Sequence, residues 1–259
     1  MTSTLSVSVE ALRSELTGAV LTPLDPGYHE ARSVWNGQID RRPAVIAMCR
    51  CAGDVVAALD FGRQHELEIT VRGGGHNMAG TAICDDGLMI HLGEMRDVRV
   101  DPDARRVLVG AGATLAEMDA ATQAHGLPTT GGTVSHTGVA GLTLGGGVGW
   151  LTRSAGLAVD NLISAEVVTA DGQILKASAE HNPDLFWALR GGGGNFGIVT
   201  QFEFRLHEVG PMVSLGLCFW GMDRGPAVLR LADQISADLP RDLNVMIVGM
   251  TAPPAPFVP

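Results

Sequence analysis

Hydrophobic residues recur along most of the chain in short runs separated by polar or glycine-rich stretches. The run at 44–49 predicts a buried strand, the run at 53–67 a helix, and the run at 67–71 a second strand. This order is typical of a β-α-β unit. Its second strand leads directly into the glycine loop RGGGH at 72–76.

The same alternation continues through the middle of the chain. Segments 88–92 and 98–101 predict short strands, and 105–110 predicts a hairpin partner for the latter. Thr114 and Glu117 stand three positions apart, which is the spacing of a capping box. They therefore predict the start of a helix.

A second hairpin is predicted at 164–178, since Asp171-Gly172 suits a tight turn. Asn182 as the N-cap and Pro183 as the first helical residue predict a helix after it. The alternating segment at 197–206 then predicts a half-buried strand.

The pattern changes after Gly210-Pro211. Segments 212–220 and 243–250 predict strands, and 226–239 predicts a helix. Three elements are too few for an independent hydrophobic core. We therefore interpret this part of the chain as the beginning of a second domain.

Composition narrows the possible functions. The 259 residues are 46% hydrophobic and 18% charged, with a formal net charge of -10. This balance suits a sizeable core and argues against a nucleic-acid-binding surface. The apolar runs are too short for a membrane span, and the first residues lack the features of a signal peptide, so we expect a cytoplasmic protein. The histidines and cysteines show no metal-binding spacing, so we expect no metal.

The 34 glycines are concentrated in a few clusters. The cluster at 192–197 fits G-x-G-x-x-G, but a predicted helix precedes it and a predicted strand follows it. This is the reverse of the dinucleotide-binding fingerprint, so we reject such a site there. The clusters lie at 73–75, 110–112, 131–132, 145–149 and 191–197.

The loop at 72–76 is the strongest candidate for chemistry. Successive backbone N–H groups in a glycine turn can bind an oxyanion, and Arg72 adds a positive charge. His76 stands at the end of the turn, and a neutral imidazole is a competent nucleophile. A covalent bond to a bound cofactor is therefore chemically possible. The alternative is an ordinary glycine-rich turn.

At this point the sequence resembles a known family. The loop at 72–76 resembles the R-x-G-G-H loop of FAD-linked oxidases that have the vanillyl-alcohol-oxidase-like, PCMH-type FAD-binding domain. The segments GVAGLTLGGGVGWL (138–151), GLAVDN (156–161) and PDLFWALRGGGGNFG (183–197) are similar to later segments of that domain, in the family's order. The chain is most similar to the berberine-bridge-enzyme-like oxidases, in particular the 6-hydroxy-D-nicotine-oxidase-like members.

The resemblance implies the fold class and the domain organisation. It implies an α+β fold with a PCMH-type FAD-binding domain of two α/β subdomains at 35–208. An N-terminal segment at 1–34 precedes this domain, and the start of an α+β substrate domain follows at 211–259. A usual member is longer, so we interpret the chain as C-terminally truncated.

The resemblance also implies the cofactor and its site. His76 is expected to carry FAD through the flavin 8α-methyl carbon. Many members form a second bond from a cysteine, but Val134 stands at that position, so a single covalent link is expected. The residues expected around the cofactor are Arg72, Gly73, Gly74, Gly75, Asn77, Gly80, Gly131, Gly132, Gly138, Val139, Gly141, Gly145, Gly146, Gly147, Asp160, Asn161, Gly197, Ile198 and Val199.

The implied activity is transfer of a hydride from a small-molecule C–H bond of an alcohol, amine or sugar to FAD, and then to dioxygen, giving hydrogen peroxide. The expected partners are the small-molecule substrate and dioxygen, without nucleic acid or membrane. No catalytic base is identified. His136 and Thr137 are candidates, and a loop histidine and a packing threonine are the alternative. A flavin-binding remnant without catalysis and a non-flavin nucleotide-binding protein also stay open.

Overall fold

Two β-sheets with helices against them form most of the molecule. The structure, a computed structural model, describes residues 2–210 and 212–251, with side chains from residue 9 onward. The chain divides into two compact units, Met1–Val209 and Gly210–Pro259. Pro211 and residues 252–259, which belong to the predicted second domain, lie outside the described residues.

The first sheet contains strands β1 to β4 in the order β1-β2-β4-β3. β1 pairs with β2 in antiparallel fashion, whereas β2 and β3 both pair with β4 in parallel. The predicted β-α-β unit is therefore confirmed, with β4 lying between its two strands. The strands are β1 (Val20–Leu21), β2 (Val45–Met48), β3 (Ile69–Arg72) and β4 (Leu88–His91).

Three helices accompany this sheet: α1 (Thr2–Glu15), α2 (Tyr28–Ala31) and α3 (Ala52–Gln64). α3 is the predicted helix, and Val55 and Leu59 are buried in the core. The pattern analysis missed α1, although Val9, Leu12 and Leu16 are buried at the spacing of one helical face.

The second sheet contains five strands in the order β5-β6-β9-β7-β8, and every pairing in it is antiparallel. Both predicted hairpins, β5–β6 and β7–β8, are confirmed. Phe202 and Phe204 from the central strand are fully buried. The strands are β5 (Val98–Asp101), β6 (Arg106–Gly110), β7 (Leu162–Val168), β8 (Ile174–Ser178) and β9 (Ile198–Arg205).

Five helices are inserted between these strands. The capping box before α4 is confirmed, since Glu117 Oε2 accepts a hydrogen bond from the Thr114 amide at 2.8 Å. The helices are α4 (Leu115–Gln123), α5 (Val139–Leu144), α6 (Thr152–Ala155), α7 (Ala158–Asn161) and α8 (Pro183–Leu189).

Asn182 is the N-cap residue of α8, as predicted, but its side chain does not form the expected capping hydrogen bond. Pro183 does begin the helix, but Asn182 has a left-handed backbone with φ of 50°. Its side-chain amide donates to the carbonyl oxygen of Lys176 at 2.8 Å, so it binds the preceding strand β8. A tertiary contact has replaced the local one that the sequence suggested.

The second unit contains a 3-10 helix (Met222–Arg224) and α9 (Gly225–Ser236), which confirms the predicted helix. The predicted strands at 212–220 and 243–250 are wrong, because both segments have irregular backbone. A strand needs a neighbouring strand for its backbone hydrogen bonds. No residue in the described part of this unit is buried.

The two sheets and their helices confirm the α+β class. The assignment of residues 35–208 to cofactor binding and of residues 211–259 to a substrate domain stays a prediction. Within the described ranges, no helix has the length and apolar character needed to cross a membrane.

Candidate active site

The first and second glycine segments meet backbone to backbone. A Cβ on Gly74 would lie 2.3 Å from the amide nitrogen of Gly138, and a Cβ on Gly138 would lie 2.5 Å from that of Gly74. Such distances leave no room for a side chain. Hydrogen bonds on both sides of Gly138 fix its loop, since Leu115 N donates to Thr137 O and Val139 N donates to Ala113 O, both at 2.9 Å.

Arg72 ends β3 at the base of the first loop. Its Nη2 donates to the carbonyl oxygen of Ser33 at 2.8 Å, and its Nη1 contacts Nε2 of His91, the last residue of β4. Burial, with a contribution from the Arg72 charge, lowers the pKa of His91 to about 3. His91 is therefore neutral at pH 7. Burial also lowers the pKa of Arg72, whose guanidinium stays charged.

His76 lies between two aromatic side chains. Its Nε2 is 2.7 Å from Nδ1 of His136, and its ring stacks on Trp35 with centroids 5.3 Å apart. The Trp35 amide donates to Gly75 O at 3.0 Å, which ties this tryptophan to the glycine loop. Burial, and next the charge of His136, lower the pKa of His76. The imidazole is therefore in its neutral, nucleophilic form at pH 7.

His136 is brought to this position by a tight turn. Thr137 N donates to Val134 O at 3.0 Å, and His136 lies between them. His76 and His136 are 60 positions apart in sequence, so the contact is purely tertiary. Val134 is partly exposed at the start of this turn.

A second cluster of close contacts surrounds the glycines at 145–149. A Cβ on Gly149 would lie 2.0 Å from Gly131 O, and one on Gly147 would lie 2.4 Å from the Ala158 Cβ. α5 connects this cluster to the first, because Gly138 caps its start and Gly145 its end. Val139 is buried in α5, whereas Gly141 is exposed. Gly132 packs on Leu142, and Gly146 O accepts from Val159 N at 3.1 Å.

Asp160 and Asn161 stabilise this cluster with their side chains. Asn161 Nδ2 donates to the carbonyl oxygens of Ala155 and Leu157 at 2.9 Å, and its Oδ1 is 2.5 Å from Nε2 of His207. Asp160 Oδ2 accepts from Leu157 N at 2.9 Å. Both side chains are thus engaged by the protein, and their direct contact with a cofactor stays a prediction.

The remaining expected residues contact parts of the chain other than His76 and His136. Ile198 and Val199 pair with β7, and Gly197 packs against Val167 and Val168. Asn77 and Gly80 form the turn after His76, with Gly80 N donating to Asn77 O at 3.2 Å. Their role at the cofactor stays a prediction.

Sequence reasoning missed several residues around the site. Trp35 and Ser33 come from the segment before the first parallel strand, and no local pattern marks them. Thr129 is buried beside the glycine pair 131–132. The segment TTGG at 129–132 could have indicated Thr129, because it places polar residues directly before a glycine cluster.

Comparison with known proteins identifies the family. A family model described as an FAD binding domain matches residues 43–178. The chain belongs to this family.

Solved structures and curated relatives agree with this assignment. The chain is 37% identical to the FAD-linked oxidoreductase pgmH of Aspergillus terreus over 96% of this chain and 52% of the relative. It matches 6-hydroxy-D-nicotine oxidase from Arthrobacter nicotinovorans with a TM-score of 0.73 and 39% identity, over 74% of this chain and 43% of that one. It matches glucooligosaccharide oxidase from Acremonium strictum with a TM-score of 0.74 and 36% identity, over 78% and 43%.

These matches confirm the predicted resemblance to PCMH-type, berberine-bridge-enzyme-like FAD oxidases. The chain spans about half the length of the curated relatives it matches.

The residues of this structure fit FAD. Nε of Arg72 and Oγ1 of Thr129 are buried and lack a hydrogen-bond partner among the described residues. Buried polar atoms of this kind point to a missing partner. The backbone at the Gly74–Gly138 contact carries no side chains, and Nε of Arg72 would lie 2.9 Å from a Cβ on the neighbouring Gly75. This combination is suited to a large cofactor that carries phosphate groups.

Proposed function

We propose that this chain is the cofactor-binding part of an FAD-linked oxidoreductase, and that FAD is bound covalently through His76. The observation that carries the proposal is the position of His76. It lies at the mouth of the first glycine loop, neutral and stacked on Trp35, in a chain of the FAD binding domain family. The relative from Acremonium strictum is described as holding an 8α-N1-histidyl, 6-S-cysteinyl FAD, which supports a histidyl link here.

A single link is proposed, because Val134 replaces the cysteine that a second bond would need. The four cysteines of the chain lie elsewhere: Cys49 and Cys84 are buried, and Cys51 and Cys218 are exposed. Arg72 and the loops around Gly74, Gly138 and Gly147 would hold the remainder of the cofactor.

The proposed reaction removes a hydride from a C–H bond of a small alcohol, amine or sugar and delivers the electrons to dioxygen, with hydrogen peroxide as product. When bound, FAD supplies the two-electron acceptor for this chemistry. The residues of this chain bind and orient that acceptor. Thr137 contributes its backbone carbonyl oxygen to the loop framework, and a catalytic role for its side chain stays a prediction. A cytoplasmic location stays a prediction.

The covalent link is tested by acid precipitation. The purified wild-type protein is precipitated with trichloroacetic acid, and flavin absorbance is measured in the washed pellet and in the supernatant. We expect the wild-type flavin in the pellet and the flavin of His76→Ala in the supernatant, because the variant lacks the linking nitrogen. His125→Ala, which removes an exposed histidine just after the end of α4, is the matched control.

Two outcomes would contradict parts of the proposal. Flavin in the supernatant for both proteins would show binding without a bond. Soluble, folded protein without any flavin would overturn FAD binding by this chain. Peroxide release in the presence of a panel of alcohols, amines and sugars then separates an active oxidase from a flavin-binding remnant, which would contain flavin without turnover.

A further inference from the structure

We propose that His136 is the positioning residue for covalent cofactor attachment: it orients the ring of His76 and accepts its proton when the bond forms. The inference rests on the proposed function, because it concerns how His76 becomes linked. It adds a role for a residue that neither packs in the core nor caps a helix.

The geometry supports this role directly. Nδ1 of His136 lies 2.7 Å from Nε2 of His76, within hydrogen-bond distance, and the two ring centroids are 4.6 Å apart. Trp35 stacks on the same imidazole with an interplanar angle of 20°. His76 is therefore constrained by one hydrogen bond and one stacking contact. Its Nδ1 has no partner among the described residues and is free to react.

The protonation states follow from this arrangement. For Nδ1 of His76 to carry a lone pair, the proton of the neutral ring must be on Nε2, which donates to Nδ1 of His136. His136 is exposed and can receive a second proton on that atom. Among the described residues, neither ring has a hydrogen bond or ion pair to a carboxylate, and neither contacts a lysine or an arginine. The titratable groups that face each other here are these two histidines.

The bond-forming step balances as follows. A bond forms between Nδ1 of His76 and the methyl carbon on the cofactor ring, and one C–H bond of that methyl group breaks. The methyl proton would pass to solvent water, and the Nε2 proton of His76 would pass to Nδ1 of His136. The two electrons of the C–H bond enter the flavin ring and are finally removed by dioxygen. General-base assistance of this kind contributes about 10²-fold to 10⁴-fold to a rate.

The test measures linkage itself and does not depend on turnover. The full chain is produced without flavin in riboflavin-starved cells and mixed with FAD. Acid-precipitable flavin is then followed with time at several pH values. Loss of free-flavin fluorescence reports binding separately. The proteins compared are the wild type, His136→Ala, His136→Asn and the control His125→Ala.

We expect His136→Ala to bind FAD but to form the link about 10²-fold more slowly, with recovery on addition of free imidazole. His136→Asn keeps an oxygen that can accept the hydrogen bond but cannot take the proton. It should therefore orient His76 and still link slowly, without the dependence on pH that the wild type shows. The histidyl-flavin peptide from wild type should carry the carbon on Nδ1 when examined by NMR.

Each outcome bears on one proposal or the other. If wild type binds FAD but never links it, the covalent part of the proposed function fails. If wild type links and His136→Ala links at the same rate with the same pH profile, only the role of His136 is overturned. A link on Nε2 would also overturn it, because that nitrogen would then have been free of His136. A misfolded His136→Ala variant is recognised by lost FAD binding, and His136→Asn then decides the question.

Discussion

Two glycine-rich regions of this molecule look alike in sequence and differ in structure. In the first, Gly74 and Gly138 touch through their backbones, and a Cβ on either would lie within 2.5 Å of the other's amide nitrogen. In the second, the run at 191–194, a Cβ on Gly191 or Gly194 would meet nothing within 4 Å, although one on Gly192 would meet Ala188 O at 2.4 Å. The first region is a packed contact between distant segments, and the second is largely open.

The difference shows why a glycine cluster alone does not locate a binding site. Around Gly74 the chain has assembled a charged arginine, a neutral nucleophile and backbone free of side chains. Around Gly191 and Gly194 the glycines leave open space, and the neighbouring Arg190 is already engaged, with its Nε donating to Val159 O at 3.0 Å and its Nη2 3.5 Å from Asp160 Oδ1. The first region is therefore where changes should affect both stability and cofactor attachment.

The largest expected effect is a loss of stability at low pH that originates in the first region, at His91. Because the pKa of folded His91 is about 3 and its ordinary value is 6.5, the unfolded chain binds more protons between these values. His91 thus stabilises the fold fully above pH 6.5, and this contribution is lost as the pH falls toward 3, by up to about 1.4 kcal/mol per pH unit. Urea unfolding at pH 7.5, 5.5 and 4.5 measures the free energy of unfolding.

His91→Gln cannot titrate, so its stability should fall less steeply with acid than that of wild type. Hydrogen exchange should show the protection of the amides near Arg72 falling more with acid in the wild type than in His91→Gln. Equal slopes for wild type and variant would contradict the assigned role of His91. His125→Gln, which changes an exposed histidine elsewhere, controls for loss of one titrating ring.

A smaller effect is expected from Gly138→Ala. Gly138 has φ of -72°, which any residue adopts, so the substitution tests the contact with Gly74 and not the backbone conformation. The new Cβ must push the two loops apart, and overpacking of this kind costs about 1–3 kcal/mol. Thermal unfolding and the fraction of acid-stable flavin should both decrease. Wild-type values for both would show that the contact is dispensable.

The smallest effects should come from the open region, where Gly191→Ala and Gly194→Ala form a matched pair. Both sites have space, but Gly191 has φ of 116°, which disfavours an L-residue. Gly191→Ala should lose about 1–2 kcal/mol, and Gly194→Ala should be neutral or gain about 0.5 kcal/mol through a less flexible unfolded chain. Acid-stable flavin should be unchanged in both. A loss of flavin in Gly194→Ala would place this region at the cofactor after all.

The strands of the two sheets were predicted more successfully than those of the second unit. Strands such as β2, β4 and β6 were predicted because their apolar residues are buried and show a clear pattern. The segments 212–220 and 243–250 are also rich in apolar residues, yet their described residues are irregular and mostly exposed in this structure. Apolar runs indicate what a segment can bury, and a strand also requires a partner that local sequence does not name.

The site was likewise predictable where its chemistry is local. Arg72, the three glycines and His76 are consecutive, so the loop and its nucleophile could be read together, and the family resemblance extended them to Gly138 and beyond. Trp35 could not be found, because its importance comes from stacking on a residue 41 positions away. Asn182 shows the opposite error, since a good capping residue was recruited by β8 instead.

The sequence by itself indicated strands β2 to β9, helices α3, α4 and α8, and the glycine loop that ends at His76. These depend on periodicity and on neighbours along the chain, which are short-range properties. Only the tertiary structure decided that β4 lies between β2 and β3, that Gly74 and Gly138 touch, and that His136 and Trp35 hold the ring of His76. Such contacts join segments far apart in sequence, and they form only when the whole core is packed, because that packing compensates for the entropy of closing the intervening loops.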